Sequence, residues 1–501
     1  CFYLAVLGIM SRLVFQLVFL SFFTHLYTFL IRIRIPLYLL CWAVITILNE
    51  KREKKSMIDT FQIRKHLSSF QIIIIGFAGV IVLGALLLML PVSSKERVVT
   101  SFHDALFTAT SAVCVTGLVV KDTGSYWSLF GQCIILLLIQ IGGLGVVTIA
   151  AAFAILSGKK ISLMQRSVMQ EAISAPRVGG IVRLTRFVIR GTLCIEAIGA
   201  VCLSTVFCRQ YGIKGIWYGI FHSVSAFCNA GFDILGTKTQ MFHSLCDYVS
   251  SPMVNIVIML LIVIGGIGFF TWEDIVVHKW HVHKYHMQSK VILVTTAFLI
   301  FAPALFFFMY EYTDLPMNAR ILGALFQSVT LRTAGFNTLD LTKYRGVSTG
   351  LMIFLMLIGG SPGSTAGGMK TTTFAVLVSN MKSTFSRKSD AGFFGRRITC
   401  EVIRQAETIA MMYIMLFFFG AMAISVKEGL PFSECLFETA SAMGTVGLTL
   451  GITPYIGVFS QMILIMLMFM GRVGALTLIY ATVKQSHGMI GKLPQENITV
   501  G

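Results

Sequence analysis

The sequence predicts an all-α polytopic membrane protein, in which four fused repeats, each a span, a pore helix and a second span, surround one pore with pseudo-fourfold symmetry. Three observations lead to this class. The 501-residue chain is 56% hydrophobic and 12% charged, with a mean hydropathy of +0.81. Apolar runs of about 20 residues recur along it, and a helix of that length crosses about 30 Å of hydrocarbon. One short, glycine-ended phrase also occurs four times at nearly constant spacing.

The repeated phrase marks the middle of each repeat and ends in Gly117, Gly231, Gly335 or Gly447. These four loop glycines lie 114, 104 and 112 residues apart. The first, second and fourth have a Phe ten residues before them, whereas Phe326 lies nine residues before the third. Each glycine ends a triplet whose carbonyls we expect to line the pore. The triplets are Val115, Thr116 and Gly117; Asn229, Ala230 and Gly231; Thr333, Ala334 and Gly335; and Thr445, Val446 and Gly447.

Each repeat follows one plan of first span, half-span, second span and basic connector. The first spans are predicted at about 69–91, 187–208, 288–310 and 405–425. The half-spans are predicted at about 103–113, 215–227, 319–331 and 431–443. With 11–13 residues the half-spans are too short to cross a bilayer, so we expect re-entrant pore helices. The plan divides the chain into an N-terminal appendage at 1–56 and repeats at 57–170, 171–287, 288–400 and 401–501.

Charge is distributed unevenly between the two kinds of connecting segment. The predicted connectors carry 24 Lys and Arg against 9 Asp and Glu, whereas the loop-bearing segments carry 11 of each. This bias is typical of the positive-inside rule and places the connectors inside and the four loops outside. Topology therefore explains the net charge of +18 better than nucleic-acid binding does. The basic inner face suits an acidic cytosolic partner.

Glycines also recur in the second spans, at Gly142–Gly145, Gly265–Gly268, Gly359–Gly363 and Gly471–Gly474. One such motif is explained by close helix packing or a kink, but recurrence in phase with the loops favours lining the cavity beneath them. Residues 361–368 hold three glycines and a proline, which an α-helix does not tolerate well. We therefore predict an intramembrane loop at 361–370 that acts as a gate, with a simple packing break between helices as the alternative.

Several charged residues are predicted inside or beside the spans. A mid-membrane arginine costs at least about 2.5–3.5 kcal/mol, so Arg472 should bind loop carbonyls, act as a positive barrier or pair with Glu196. Lys370 belongs to the gate or reaches the inner interface. Glu438 and Asp104, on pore helices, are interpreted as outer-vestibule or helix-start groups. The predicted gate comprises Gly360, Ser361, Gly363, Ser364, Thr365, Gly367, Gly368, Lys370 and Arg472.

The triplets have the residues that potassium selection requires. Carbonyl oxygens can replace the water that a potassium ion sheds, provided that the side chains are small and glycine supplies positive φ. Thr445-Val446-Gly447 has the letters of the first part of a potassium-channel filter, and the other triplets are degraded copies. One such triplet carries no weight, but four in register, each after a pore-helix pattern, predict a potassium-selective pathway.

Residues 60–501 resemble the membrane subunits of bacterial Ktr and Trk potassium uptake systems, the KtrB/TrkH family, with the KtrB type favoured. Four stretches carry the resemblance: Arg332–Thr338, Gly359–Lys370, Gly471–Gly474 and Pro494–Gly501. The resemblance implies a multi-pass protein of the bacterial cell membrane that translocates K⁺ through a filter, without a covalent cofactor and with Na⁺ as a candidate activator. It also implies a homodimer in membrane lipid and a cytosolic nucleotide-binding ring subunit of the KtrA/TrkA type that controls the gate.

Two rival classes are weaker. A secondary carrier with broken helices and a midplane site would show two inverted halves, whereas this chain shows four repeats of one charge orientation. A membrane-embedded enzyme needs paired titratable residues in the spans, and the sequence shows no phosphoryl-transfer or hydrolytic motif, so we expect no enzymatic activity. The cluster at His278, His281, His283 and His286 has metal-like spacing, but a solvated surface is the favoured interpretation.

The N-terminal appendage, residues 1–56, carries apolar stretches that the fourfold plan does not use. Met57 follows the basic stretch Lys51–Lys55. We expect residues 1–56 to be peripheral helices or sequence upstream of the true start. A chain beginning at Met57 should then insert and support potassium uptake.

Overall fold

Long apolar helices alternate with short buried ones in a computed structural model that describes residues 68–156, 162–173, 179–474 and 477. The predicted N-terminal appendage (1–56) and the Pro494–Gly501 stretch lie outside the described residues. So do residues 57–67 of the first repeat and parts of the basic connectors, at 157–161, 174–178 and 484–501.

The described residues are mostly helical. In chain order the helices are α1 (Ser69–Leu88), α2 (Phe102–Val113), α3 (Thr123–Tyr126), α4 (Leu129–Leu144), α5 (Val146–Leu156), α6 (Leu163–Ile173), α7 (Ile181–Tyr211), α8 (Lys214–Phe227), α9 (Pro252–Gly266), α10 (Phe269–His278), α11 (Met287–Phe306), α12 (Met317–Thr330), α13 (Gly346–Leu357), α14 (Thr371–Phe385), α15 (Cys400–Glu428), α16 (Phe432–Gly444) and α17 (Val458–Val473). A small antiparallel hairpin, β1 (Gly392–Phe393) and β2 (Arg396–Arg397), connects α14 to α15.

Four of the described helices, α1, α7, α15 and α11 with its π-helical extension Phe307–Glu311, are long and apolar enough to cross a membrane. Two further helix pairs, α4 with α5 and α9 with α10, reach that length only together, because each pair is bent by 97°. By length and composition the described residues therefore hold four spans, or six if each bent pair counts as one. The four long helices coincide with the four predicted first spans.

The short helices α2, α8, α12 and α16 coincide with the predicted half-spans to within two residues at either end. They are 12–14 residues long, and their C-terminal halves are buried. Phe107, Phe221, Phe326 and Phe437, the repeated phenylalanines, are 0% exposed. These side chains anchor each short helix in the core, which explains why a Phe recurs at this position.

The second-span glycines coincide with helix breaks outside the third repeat as well, where a kink was one of the interpretations open from the sequence. Gly145 and Gly474 follow the C-terminal ends of α4 and α17, and Gly268 directly precedes α10; their φ angles are 86°, 90° and 92°. The first glycine of each of these motifs packs against the end of the preceding short helix. A methyl group on Gly142, for example, would lie less than 3.0 Å from the Val113 carbonyl oxygen. The motif therefore serves close packing and helix termination together.

In two places a glutamate at the end of a long helix joins it to a later, shorter apolar helix. Glu311 accepts hydrogen bonds from the Arg345 backbone N–H (3.1 Å) and the Ser348 hydroxyl at the start of α13. Glu428 accepts the equivalent bonds from Gly457 N–H (3.1 Å) and Ser460 Oγ (2.5 Å) at the start of α17. A carboxylate at a helix N-terminus satisfies unpaired N–H groups and opposes the positive end of the helix dipole.

Candidate functional site

The four triplets share a positive φ at their first and third residues. Their first residues, Val115, Asn229, Thr333 and Thr445, have φ between 52° and 65°. The loop glycines that end them have φ between 66° and 93°. A left-handed conformation is unfavourable for any residue with a Cβ, and most of all for the β-branched Val and Thr. Four copies of such strain at equivalent positions indicate a functional constraint rather than an irregular loop.

The triplets also contact one another in cyclic order. Gly117 lies against the carbonyl oxygen of Ala230, and Gly231 lies against that of Ala334. Gly335 then lies against the Val446 oxygen, and Gly447 returns to the oxygen of Thr116 in the first triplet. A methyl group on any loop glycine would lie less than 3.0 Å from the oxygen that it faces. The second and third residues of the four predicted triplets are thus brought together in a closed ring.

A hydroxyl residue of each short helix supports the triplet that follows it. The middle N–H of each triplet donates to the backbone oxygen of Ser111, Ser225, Thr330 or Ser441, at 2.8–2.9 Å. The Ser111 and Ser441 hydroxyls accept from the N–H of the loop glycine (3.1 and 3.0 Å). Those of Ser225 and Thr330 instead donate to the carbonyl oxygen just after the glycine (2.8 and 2.5 Å).

Thr330 is the support residue that sequence analysis missed. The repeated Ser-Ala pair identifies Ser111, Ser225 and Ser441, but the third copy reads Thr330-Leu331. Thr330 lies five residues before its glycine, whereas the serines lie six before theirs. Phe326 is displaced by one residue in the same way, so the hydroxyl residue lies four residues after the repeated Phe in all four copies. That spacing identifies Thr330.

The predicted intramembrane loop, 361–370, connects α13 to α14 and contacts other repeats directly. Its Ser361 and Thr365 N–H groups donate to the oxygens of Gly266 (3.0 Å) and Gly265 (3.2 Å) at the end of α9. Gly368 N–H donates to the oxygen of Gly471 in α17 (3.2 Å). The backbone of the loop is irregular, but these N–H groups are hydrogen-bonded. Backbone N–H and C=O groups that lie away from water need such partners.

The loop also contacts two triplets. The Thr365 hydroxyl donates to the Phe227 oxygen (3.0 Å), two residues before the second triplet, and lies 3.3 Å from the side-chain amide of Asn229. Gly367 lies so close to the Thr445 hydroxyl that a methyl group there would be less than 3.0 Å from it. Thr365 and Gly367 of the predicted gate therefore lie next to the triplets, and the other loop residues of the gate belong to the same connected segment.

Arg472 binds backbone carbonyls, one of the three alternatives open from the sequence. Its guanidinium donates to the Thr365 oxygen in the loop and to the oxygens of Gly142 and Gly143 at the end of α4, the last at 2.9 Å. Glu196 is contacted instead by Gln140 Nε2 (3.3 Å) and the Cys228 thiol (3.9 Å). Arg472 thus ties the loop to the first repeat.

Lys370 directly precedes α14, and its Nζ donates to the Ala366 oxygen within the loop (2.9 Å). The Lys370 side chain is therefore held by the loop and does not follow the alternative prediction that it reaches the inner interface.

Glu438 requires a larger correction. It is neither an outer-vestibule nor a helix-start group, because it lies in the middle of α16 and is 0% exposed. Asp104 does lie in the first turn of α2, as predicted.

The histidine cluster lies at the turn between α10 and α11. Asp274 accepts hydrogen bonds from the backbone N–H of His286 (3.1 Å) and from Ser289 Oγ (2.5 Å), and its carboxylate lies 2.8 Å from His286 Nδ1. His278 is 3.6 Å from the same carboxylate. In the part of the chain that the structure describes, no group of three or more His, Cys, Asp or Glu is placed to hold a metal ion.

Comparison with known proteins identifies the family. The family model TrkH, described as cation transport protein, matches residues 39–312 and 310–492. The potassium/sodium uptake protein NtpJ of Enterococcus hirae is 39% identical over 452 residues, which cover 88% of this chain and 99% of that protein. Ktr system potassium uptake protein B of Bacillus subtilis is 38% identical over 438 residues, covering 86% and 96%.

The fold has a solved counterpart. The potassium transporter TrkH from Vibrio parahaemolyticus superposes with a TM-score of 0.64 at 19% sequence identity, over 83% of this chain and 85% of that one. The match at this identity concerns the fold, and the family follows from the sequence matches. The chain belongs to the TrkH family of cation transport proteins.

Proposed function

We propose that this protein is the potassium-selective, ion-translocating subunit of a bacterial potassium uptake system. The observation that carries the proposal is the closed ring of four triplets. Each loop glycine lies against the carbonyl oxygen of the middle residue of the next triplet. The names of the relatives, which are potassium or potassium/sodium uptake proteins, support the same ion. The four repeats would then surround one pore with pseudo-fourfold symmetry, with α2, α8, α12 and α16 as pore helices.

The ring suits potassium because of its backbone. When left-handed and right-handed backbone conformations alternate along the chain, successive backbone groups of the same kind point to one side. N–H groups do this in the nests that bind anions. In each triplet the first and third residues are left-handed, which would direct carbonyl oxygens toward a common axis. Such oxygens replace the hydration shell of an ion that passes between them.

The 361–370 loop is the proposed gate. It lies against the second and fourth triplets and is held by α9, α17 and Arg472. A segment that contacts the second and fourth repeats through separable hydrogen bonds can adopt a second arrangement when those bonds exchange. We assign its control to a cytosolic nucleotide-binding ring subunit that docks on the basic connectors, with the loops outside and the connectors inside.

Ion uptake tests the proposal directly. The parent protein, expressed in a bacterial host that lacks potassium uptake, should restore growth at low potassium. Membrane vesicles should then accumulate rubidium in preference to sodium, and added sodium would reveal whether that ion activates or competes. Equal uptake of the two ions by an abundant, membrane-inserted protein would contradict the filter assignment.

A further inference from the structure

The residue after the repeated phenylalanine is polar and buried in every short helix. These residues are Thr108, His222, Gln327 and Glu438, and none is more than 1% exposed. A buried polar side chain costs free energy unless it is hydrogen-bonded, so core packing alone does not explain four of them at one position. Their partners therefore indicate what the position does.

Three of the four form contacts close to their own helix or with a neighbouring span. Thr108 Oγ1 donates to the Asp104 oxygen (2.9 Å), and His222 Nδ1 lies 2.8 Å from the Tyr218 oxygen. Gln327 Nε2 lies 3.1 Å from the Met352 sulfur. Within the described residues, these contacts do not link the short helix to the six residues that directly follow its own loop glycine.

Glu438 makes that link. The Thr453 hydroxyl donates to Glu438 Oε1, and the same hydroxyl lies 3.1 Å from Thr449 Oγ1. Thr449 follows Gly447 by two residues, and Thr453 is 0% exposed. A chain of three polar side chains thus joins the middle of α16 to the segment that leaves the fourth triplet.

The carboxyl group is also incompletely satisfied. Glu438 Oε2 is buried and has no hydrogen-bond partner among the described residues. An apolar residue of similar size would avoid this cost, so retention of a carboxyl here points to a use beyond stability. The contact with Thr453 is the use that the geometry offers.

We propose that Glu438 is a positioning residue for ion selection, which holds residues 448–453 against α16 through Thr453 and so sets the carbonyls of the fourth triplet. Below the glycine, that triplet is tied to α16 through Ser441. The Glu438–Thr453–Thr449 chain supplies the tie above it. A binding constellation needs its groups held within about 0.5 Å, which requires support on both sides. The inference rests on the proposed function of the ring as a filter.

The test measures the ratio of rubidium to sodium uptake in vesicles, normalised to the amount of membrane-inserted protein. The variants are Glu438→Gln, Glu438→Ala, Thr453→Ser, Thr453→Val and the double variant Glu438→Ala/Thr453→Val. Glu434→Ala, one turn earlier on the same helix, is the matched control. Gly447→Ala reports on the ring itself.

Glu438→Ala and Thr453→Val should each lower the ratio roughly three- to tenfold, the range expected for one hydrogen bond. Glu438→Gln and Thr453→Ser, which keep the hydrogen bond, should retain the parental ratio, as should the control. Because both residues act through one contact, the double variant should lose no more than either single variant. If Glu438→Ala does not reach the membrane, the Thr453→Val and Thr453→Ser pair decides by the same criterion.

Three results would overturn the inference: a parental ratio in Glu438→Ala and Thr453→Val, additive losses in the double variant, or a loss in Glu438→Gln as large as in Glu438→Ala. If Gly447→Ala still lowers the ratio in those cases, the filter assignment stands and this inference alone fails. A parent protein that shows no preference for rubidium over sodium would contradict both the filter assignment and this inference.

Discussion

The ring makes a quantitative prediction about its four glycines, because their backbone angles and contacts differ. Replacing one by alanine adds a methyl group to a left-handed residue, at about 1–2 kcal/mol. Pressing that methyl group against a carbonyl oxygen adds roughly 1–3 kcal/mol of overpacking. Since about 1.4 kcal/mol corresponds to a factor of ten, the loss of ion preference should reach tenfold or more.

The structure also ranks the four sites. Gly231 has the smallest φ, 66°, which is closest to the left-handed value of about 57° that other residues can adopt. It also has the most distant carbonyl of the four. Gly447 combines a φ of 92° with the closest carbonyl. Gly447→Ala should therefore damage selectivity most and Gly231→Ala least, with Gly117→Ala and Gly335→Ala between them.

The assay is the rubidium-to-sodium uptake ratio in vesicles, with membrane-inserted protein quantified for every variant. Gly350→Ala is the matched control, because this exposed helical glycine has no atom within 4 Å of the added methyl group. It should keep the parental ratio. Equal effects at all four loop glycines, or a reversed order with Gly231→Ala the most damaging, would refute the ring as the origin of selectivity.

Four further predictions concern the gate and the partners. Thr365→Val removes one hydrogen bond to Phe227, of about 1 kcal/mol, and should raise rubidium flux about fivefold without changing ion preference; a changed preference with unchanged flux would place Thr365 in selection instead. Arg472→Ala frees the loop from α4 and should raise flux more than Thr365→Val does, measured at equal protein amount; reduced flux in a correctly inserted protein would indicate a structural role. Shortening 361–368 should raise flux and weaken control by a regulatory subunit, which flux with and without that subunit would show. Purification in mild detergent should yield a homodimer whose mass increases when the regulatory ring is co-expressed; a monomer that ignores it would contradict both partners.

The sequence located the helices because the signals for them are local. A span is recognised from about 20 consecutive apolar residues, and a half-span from a shorter run that ends in glycine. The loop glycines are identifiable for the same reason, since the positive φ they provide is a property of a single residue. Thr330 could also have been identified from the sequence. Phe326 is displaced by one residue relative to its loop glycine, and the supporting hydroxyl is displaced by the same amount.

The misassigned residue, Glu438, depends on packing that the local sequence does not show. Glu438 looks like a surface carboxylate on a short amphipathic helix, and only the packing of α16 against surrounding elements buries it. From the sequence alone, Gly145 and Gly268 fit either close helix packing or a kink, and in the structure the chain bends at both. Local pattern does not distinguish a packing glycine from one that ends a helix.

The partners of Arg472 show the same division. Its position within an apolar run requires a partner from the sequence onward, because an unpaired charge is costly there. The sequence left three interpretations open: bonds to loop carbonyls, a positive barrier in the pore, or a pair with Glu196. The choice of Thr365, Gly142 and Gly143 arises where the ends of α4, α17 and the 361–370 loop converge. Hydrophobic length and glycine content are encoded residue by residue, whereas the acceptors available to a buried donor exist only after distant repeats have packed together.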